Sequence, residues 1–148
     1  MLNSRKFLIL SIDDDPALAE LLERSSKVGF PEARFTFIRS IGTLTEYLQK
    51  PNLQLPHIIL LDLNMPEADA GFSLLTKLRN ESPTSLIPII VLTASDNNLH
   101  IDEAYFKGAN AYMTKPETYR DWIDFMASLK SFWQQTVTLP RAGIYSSL

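Results

Sequence analysis

Two groups of acidic residues in this sequence each follow a run of apolar residues. Asp13–Asp15 follow the run Phe7–Ile12, and Asp62 follows the run Ile58–Leu61. Carboxylates that are brought together repel one another, so a cluster of them favours a bound cation. A carboxylate beside a cation can also attack an electrophilic centre such as phosphorus. The sequence therefore predicts a metal site in which one carboxylate is a nucleophile.

The acidic groups belong to a chain in which short apolar runs alternate with helical patterns. The first, third and fourth runs are apolar almost throughout, which is typical of parallel strands covered on both faces. The second alternates between apolar and polar residues, which is typical of an edge strand. The predicted strands are Phe7–Ile12, Arg34–Ile38, Ile58–Leu61, Ile89–Leu92 and Ala111–Met113.

Amphipathic segments follow the predicted strands, and those after the first and last strands have the clearest patterns. Asp15 is placed to cap the first helix, with Pro16 at its first position. The fourth helix is expected to end near Gly108. The predicted buried faces are Leu18, Leu21, Leu22, Ser25 and Val28 on the first helix, and Tyr119, Trp122, Ile123, Met126, Leu129 and Trp133 on the last.

This alternation predicts the α/β fold class, with a doubly wound, flavodoxin-like, five-stranded parallel sheet of order 2-1-3-4-5 in a single domain. In that order the switch point lies between strands one and three, and ligands bind beyond the carboxyl ends of the strands. Asp13, Asp14 and Asp62 stand at the ends of those two strands. The fold and the acidic residues therefore predict the same location for the site.

Composition narrows the class of protein. The chain has 148 residues, a net charge of −3 and no dense Lys/Arg stripe, so nucleic-acid binding is not expected. It has no cysteine, which excludes thiolate metal sites and disulfides. Its beginning lacks a signal peptide, and no apolar run is long enough to span a membrane. A cytoplasmic location is the expectation.

Four stretches together resemble a response-regulator receiver domain of two-component signalling. They occur in the order and with the spacing of that family, and the resemblance covers roughly residues 5 to 133. The stretches are Ile9–Pro16, Leu60–Pro66, Ile89–Ala94 and Gly108–Pro116. The predicted domain is therefore residues 1–133, followed by a C-terminal tail at 134–148.

The resemblance implies that Asp62 accepts a phosphoryl group from a partner histidine kinase. An anion that attacks an anionic phosphoryl group needs charge neutralisation, which Mg²⁺ supplies. Its implied ligands are Asp13, Asp14, Asp62 and the backbone carbonyl of Asn64. The protein would be a switch that catalyses its own phosphorylation and dephosphorylation, rather than an enzyme.

The resemblance also assigns roles near the ends of the fourth and fifth strands. The hydroxyl of Thr93 and the backbone N–H of Ala94 would contact phosphoryl oxygens, and Lys115 would supply a positive charge. Thr93 and Tyr112 would form the switch, with the phenol moving inward after phosphorylation. The family also carries a cis peptide bond where this chain has Lys115–Pro116.

The C-terminal segment is similar to the ending of stand-alone receivers paired with phytochrome-type sensor kinases. Trp133, Val137 and Leu139 could form a homodimer contact, or they could pack on their own domain. No output domain fits after residue 133, so the chain is expected to be either a stand-alone receiver or a part of a longer protein. A stand-alone receiver would signal through contacts with another protein, whose identity the sequence does not give.

Two alternatives use the same fold class. A haloacid-dehalogenase-like phosphohydrolase would use Asp13 as its nucleophile after the first strand. Against it, the expected Thr or Val does not follow, and the chain has no room for a cap domain. A flavodoxin-like FMN carrier would need a Ser/Thr/Gly-rich phosphate loop, where this chain has Asp13–Pro16.

Overall fold

Strands and helices alternate along the computed structural model, which describes residues 5–65 and 70–140. The strands are β1 (Phe7–Ile12), β2 (Ala33–Ile38), β3 (Ile58–Leu61), β4 (Ile89–Thr93) and β5 (Ala111–Thr114). The α-helices are α1 (Pro16–Gly29), α2 (Ile41–Leu48), α3 (Ala70–Asn80), α4 (Asn98–Phe106) and α5 (Tyr119–Leu129). A π-helical turn, Lys130–Gln134, continues directly from α5.

The strands form one parallel sheet of order β2-β1-β3-β4-β5. Ile9 in β1 pairs with Phe35 in β2 and with Ile58 in β3, and Thr93 at the end of β4 pairs with Thr114. The predicted fold class and strand order are confirmed, including the edge position of β2. The switch point lies between β1 and β3, as expected.

Alternate strand residues enter two separate apolar layers, because successive side chains of a strand point to opposite faces. Leu10, Ile59 and Val91 join the layer covered by α2, α3 and α4, whereas Ile9, Leu60 and Ile90 join the layer covered by α1 and α5. Since β1, β3 and β4 are covered on both sides, their apolar sequences follow directly from their position in the sheet.

The first helix begins as predicted: the Asp15 side chain accepts a hydrogen bond from the backbone N–H of Ala17, and Pro16 is the first helical residue. Val28, however, is 63% exposed, so its predicted place on the buried face is wrong. It lies seven residues after Leu21, which is itself only half-buried. Val28 therefore projects from the edge of the buried stripe.

The last helix also departs from its predicted stripe. Trp122, Met126 and Leu129 are buried, whereas Tyr119 is exposed and its hydroxyl donates to the backbone carbonyl of Arg24. Trp133 packs against the layer under α1 and α5 from the π-helical turn. None of the described helices combines the length and apolar character that crossing a membrane would require.

Helix α3 begins in direct contact with the backbone that follows β3. A Cβ atom built on Gly71 would overlap the backbone of Leu63. A residue without a side chain is therefore required there. This contact fixes the beginning of α3 against the segment that carries Asp62 and Asn64.

Candidate functional site

Three carboxylates converge beyond the ends of β1 and β3. One carboxylate oxygen from each of Asp13, Asp14 and Asp62 can be chosen so that all lie within 4.8 Å of one another. Asp13 is only 6% exposed and Asp62 only 4%, whereas Asp14 is half-buried. The sequence predicted that these residues meet, and the parallel pairing of β1 with β3 brings them together.

Lys115 enters this acidic pocket from the segment after β5. Its Nζ atom lies 2.8 Å from Asp13 Oδ2 and 3.1 Å from Asp62 Oδ2. Its backbone N–H donates to the carbonyl of Thr93 at 2.8 Å, which extends the β4–β5 pairing by one residue. One ammonium group faces three carboxylates, so the pocket retains a negative charge.

The charges of the pocket change the pKa values of its buried members. Burial raises the pKa of Asp13 above its usual range, and the hydrogen bonds from Lys115 and Asp15 offset this only in part. Burial alone would lower the pKa of Lys115, but its hydrogen bond to Asp13 and the charges of Asp62 and Asp13 outweigh it, so the pKa is raised. Lys115 therefore stays protonated, while Asp13 carries its charge at a cost.

Asp13 has an oxygen that the protein does not fully satisfy. Asp13 Oδ1 accepts a hydrogen bond from the backbone N–H of Asp15 at 2.9 Å. Asp13 Oδ2 is buried and, beyond its ion pair with Lys115, accepts no hydrogen bond of regular geometry within residues 5–65 and 70–140. A buried, under-coordinated oxygen among carboxylates fits the oxygen ligands that divalent cations take.

The carboxylate of Asp62 is held from both sides. Its Oδ1 atom accepts the backbone N–H of Asn64 at 3.0 Å, and its Oδ2 atom accepts a hydrogen bond from Lys115 Nζ. The first contact closes a short turn just after β3, and the second ties β3 to the end of β5. The carboxylate is thus oriented before any ligand binds.

Thr93 ends β4 with a fully buried side chain. Its Oγ1 atom accepts a hydrogen bond from the side-chain Nδ2 of Asn64 at 3.0 Å. This side-chain contact was not predicted from the sequence. The predicted adjacency of β3 and β4 indicated that the two strand ends are neighbours, but it did not indicate which side chains meet there. Ala94, the next residue after Thr93, is exposed.

Tyr112 lies on β5 and is already tied to the segment after β4. Its hydroxyl donates to the backbone carbonyl of Ser95 at 2.7 Å, and its backbone N–H donates to the hydroxyl of Tyr105 on α4. Burial raises the pKa of the Tyr112 phenol above its usual range. The hydroxyl of Ser95 shares a hydrogen bond with Nδ1 of His100 at 2.8 Å. Tyr112 thus links β5 to the loop that begins beside Thr93.

The predicted cis bond at Lys115–Pro116 is wrong. Within the described part of the chain, the cis peptide bond is at Ser82–Pro83. The Lys115–Pro116 bond is trans. Lys115 nevertheless donates its backbone N–H to Thr93 and pairs with both carboxylates.

Comparison with known proteins identifies the family. A family model of the response regulator receiver domain matches residues 9–126. Response regulator Rcp1 of Synechocystis sp. is 31% identical over 139 residues, which cover 91% of this chain and 94% of that protein. The probable methanogenesis regulatory protein FilR2 of Methanothrix harundinacea is 30% identical, over 86% of this chain and 83% of its own length.

Comparison with solved structures identifies the same family. The phosphorylated cyanobacterial phytochrome response regulator RcpA has a TM-score of 0.80 and 27% identity, and the match covers 91% of this chain and 99% of that chain. The Mn²⁺-bound form of Rcp1 has a TM-score of 0.77 and 30% identity, over 90% of this chain and 99% of that one. The family match favours the receiver interpretation over the phosphohydrolase and the FMN carrier. This chain belongs to the response regulator receiver domain family of two-component systems.

Proposed function

We propose that this protein is a signalling switch that accepts a phosphoryl group on Asp62 from a partner histidine kinase. The observation that carries the proposal is the convergence of the Asp62 carboxylate with Asp13, Asp14 and Lys115 at the switch point of a receiver fold. The half-buried carboxylate of Glu32, in contrast, pairs with a single lysine, Lys130. The carboxylates of this pocket outnumber their cation.

The pocket fits a divalent cation, and we assign it Mg²⁺. Asp13, Asp14 and Asp62 would be ligands through their carboxylates and Asn64 through its backbone carbonyl, which is an all-oxygen set suited to this ion. The Mn²⁺-bound form of the relative Rcp1 supports a divalent ion in this family. When bound, the ion neutralises charge on the phosphoryl group.

Asp62 is the nucleophile of the proposed transfer. One of its carboxylate oxygens attacks the phosphorus of a phosphohistidine, the new P–O bond forms as the P–N bond breaks, and the electron pair leaves with the imidazole nitrogen, which takes up a proton. Lys115 keeps a positive charge beside the attacking carboxylate. The Thr93 hydroxyl and the backbone N–H of Ala94 would donate to phosphoryl oxygens.

The switch would couple Thr93 to Tyr112. When Thr93 bonds the phosphoryl group, the loop that begins at Ala94 shifts, and this loop holds the carbonyl of Ser95 that the Tyr112 hydroxyl contacts. Phosphorylation would thus bias an equilibrium between two arrangements of the loop, α4 and Tyr112. Slow self-catalysed loss of the phosphoryl group would reset it.

The proposed partner is a sensor histidine kinase, and the relatives RcpA and Rcp1 favour one of the phytochrome type. We place the exchange in the cytoplasm, where ATP supplies such kinases. The predicted homodimer stays a prediction. Trp133 and Leu139 pack on the core of their own chain, whereas Phe132 beside them is exposed and could serve a contact between copies.

Phosphoryl uptake from acetyl phosphate tests this assignment. The wild type should incorporate label in the presence of Mg²⁺, and chelation should stop it. Asp62→Asn should incorporate none, because an amide is not a competent nucleophile. Asp124→Asn, on the exposed face of α5, is the matched control and should keep wild-type uptake. Unchanged uptake by Asp62→Asn would refute the assignment.

A further inference from the structure

The buried hydroxyl of Thr93 uses one of its three hydrogen-bonding capacities. A hydroxyl can accept two hydrogen bonds and donate one. Asn64 Nδ2 donates to Thr93 Oγ1 at 3.0 Å, and Thr93 is 0% exposed. Among the described residues, none accepts a hydrogen bond from this hydroxyl. A buried donor without an acceptor is costly, so this O–H is ready for an acceptor that arrives in the pocket.

The direction of the Asn64 contact matters. Because the amide nitrogen can only donate, it occupies a lone pair of Thr93 Oγ1 and cannot capture the hydroxyl hydrogen. A hydroxyl that accepts one hydrogen bond becomes a stronger donor in the next. The Asn64 amide therefore restricts the rotation of the Thr93 hydroxyl and favours donation away from Asn64.

Asn64 lies where it can contact both Asp62 and Thr93. Asn64 is exposed, so its side chain is not needed to fill the core. Its backbone N–H donates to Asp62 Oδ1 at 3.0 Å, while its side chain donates to Thr93. One residue thus orients both the carboxylate at the end of β3 and the hydroxyl at the end of β4.

We propose that the Asn64 side chain is a positioning residue that aims the Thr93 hydroxyl at a phosphoryl oxygen on Asp62. This inference rests on the proposed function and deepens it by assigning part of the phosphoryl recognition to a residue that acts through Thr93. The role belongs to the side chain of Asn64 and is separate from that of its backbone carbonyl.

A double-mutant cycle tests the proposal, with beryllium trifluoride as the phosphoryl analogue and Mg²⁺ present. The four proteins are the wild type, Asn64→Leu, Thr93→Val and the double variant, and the measured quantity is the calorimetric dissociation constant. Leu and Val keep the branched shapes of the replaced side chains and remove the amide donor and the hydroxyl. Each single change should weaken binding by roughly 3- to 10-fold, the range of one hydrogen bond.

The outcome depends on the coupling between the two positions. The double variant should bind no more weakly than Thr93→Val alone, because Asn64 acts only through the hydroxyl. If Asn64→Leu weakens binding equally in both backgrounds, or in neither, the inference is overturned. The thermal unfolding midpoint of Asn64→Leu should match that of Asn80→Leu, a control in which an asparagine side chain that contacts only its own helix is replaced.

Failure of the proposed function would look different. If the wild type binds no analogue, or if Asp62→Asn binds it as tightly as the wild type, the assignment of Asp62 fails and this inference falls with it. If those two proteins behave as proposed but the cycle shows independent effects, only the role of the Asn64 side chain is rejected.

Discussion

The two ends of the sheet differ in how the charges of their side chains are balanced. At the amino end, His57 and Leu8 are joined by two hydrogen bonds. The ring atom His57 Nδ1 accepts from the backbone N–H of Leu8 at 2.9 Å, and the backbone N–H of His57 donates to the Leu8 carbonyl at 2.8 Å. Nearby, Glu32 pairs with Lys130 at 3.1 Å. Glu32 Oε1, like Asp13 Oδ2, accepts no hydrogen bond of regular geometry within the described residues, but its charge is balanced one to one by Lys130.

The carboxyl end lacks such a balance. Asp13 and Asp62 share the ammonium group of Lys115, and Asp14 lies beside them, so among the described residues three clustered carboxylates face one lysine. Charges crowded in a buried site lower stability unless a ligand compensates them. The amino end therefore stabilises the fold. At the carboxyl end the unbalanced charge lowers stability, and the same charge suits the proposed binding of a cation and a phosphoryl group.

The largest effect should come from Lys115→Met, which removes the ammonium group that pairs with Asp13 and Asp62. Asp13 and Asp62 would then stay buried without compensation, so we expect a loss of about 3 kcal/mol in the free energy of unfolding without metal. Urea denaturation in EDTA measures it. Arg120→Met, which removes an exposed pair with Asp124, is the control and should cost no more than about 0.5 kcal/mol.

Saturating Mg²⁺ should reduce the deficit of Lys115→Met, because a bound cation replaces part of the missing charge. An equal deficit with and without Mg²⁺ would mean that charge crowding is not what Lys115 relieves.

A smaller effect of opposite sign is expected from Asp13→Asn. Burial raises the folded-state pKa of Asp13 above its unfolded value of 3.8. The stability contributed by this group is therefore fully present below pH 3.8 and is lost as the pH rises through the folded pKa. Asp13→Asn avoids that loss and should stabilise the metal-free protein by about 1 kcal/mol at pH 7.

The gain from Asp13→Asn should vanish near pH 3.8 and should be accompanied by weaker Mg²⁺ binding in calorimetry. Asp124→Asn, at an exposed i,i+4 pair with Arg120, is the control and should show neither change. Destabilisation by Asp13→Asn at pH 7 would contradict the view that the carboxyl end trades stability for binding.

The smallest expected effect is at the amino end, where protonation of His57 makes the free energy of unfolding depend on pH. Burial lowers the pKa of His57 below 6.5, and its Nδ1 must be unprotonated to accept from Leu8. This stability is fully present above pH 6.5 and is lost as the pH falls through the lowered pKa. His57→Asn keeps an acceptor oxygen but does not titrate, so it should remove this acid-side loss, which we expect to be about 0.5 kcal/mol, the lower end for one hydrogen bond.

Denaturation series from pH 7 to pH 4 check this prediction. His100→Asn, which replaces the other histidine of the chain, should keep the acid-side loss. If His57→Asn shows the same slope as the wild type, the titrating group at the amino end is not His57.

Prediction from the sequence succeeded best for features that depend on a single strand or on the strand order. The residues of β1 and β3 were predicted without error because apolar runs of that length fit only strands covered on both faces. The meeting of Asp13, Asp14 and Asp62 followed from the strand order alone. The burial of Val28 and Tyr119 was mispredicted because helical periodicity gives the direction of a stripe and not its width.

Contacts between elements were harder to predict. Predicting the contact between the Asn64 side chain and Thr93 requires the rotamer of Asn64 and the positions of the ends of β3 and β4 relative to each other. The periodicity of the sequence contains neither. The inward contact of Tyr112 with Ser95 depends in the same way on the path of a loop. The roles of these residues came from resemblance to a family, and their geometry came from the structure.

The absence of a side chain at Gly71 has a mechanical consequence. With backbone resting on backbone at Leu63, no compressible side chain separates α3 from the turn after β3, so a displacement of that turn must carry the helix along. On the other flank of the pocket, a single phenolic hydrogen bond connects Tyr112 to the loop after β4. We therefore expect a displacement at Asp62 to move α3 together with the turn after β3, whereas the loop after β4 can move once the hydrogen bond of Tyr112 breaks.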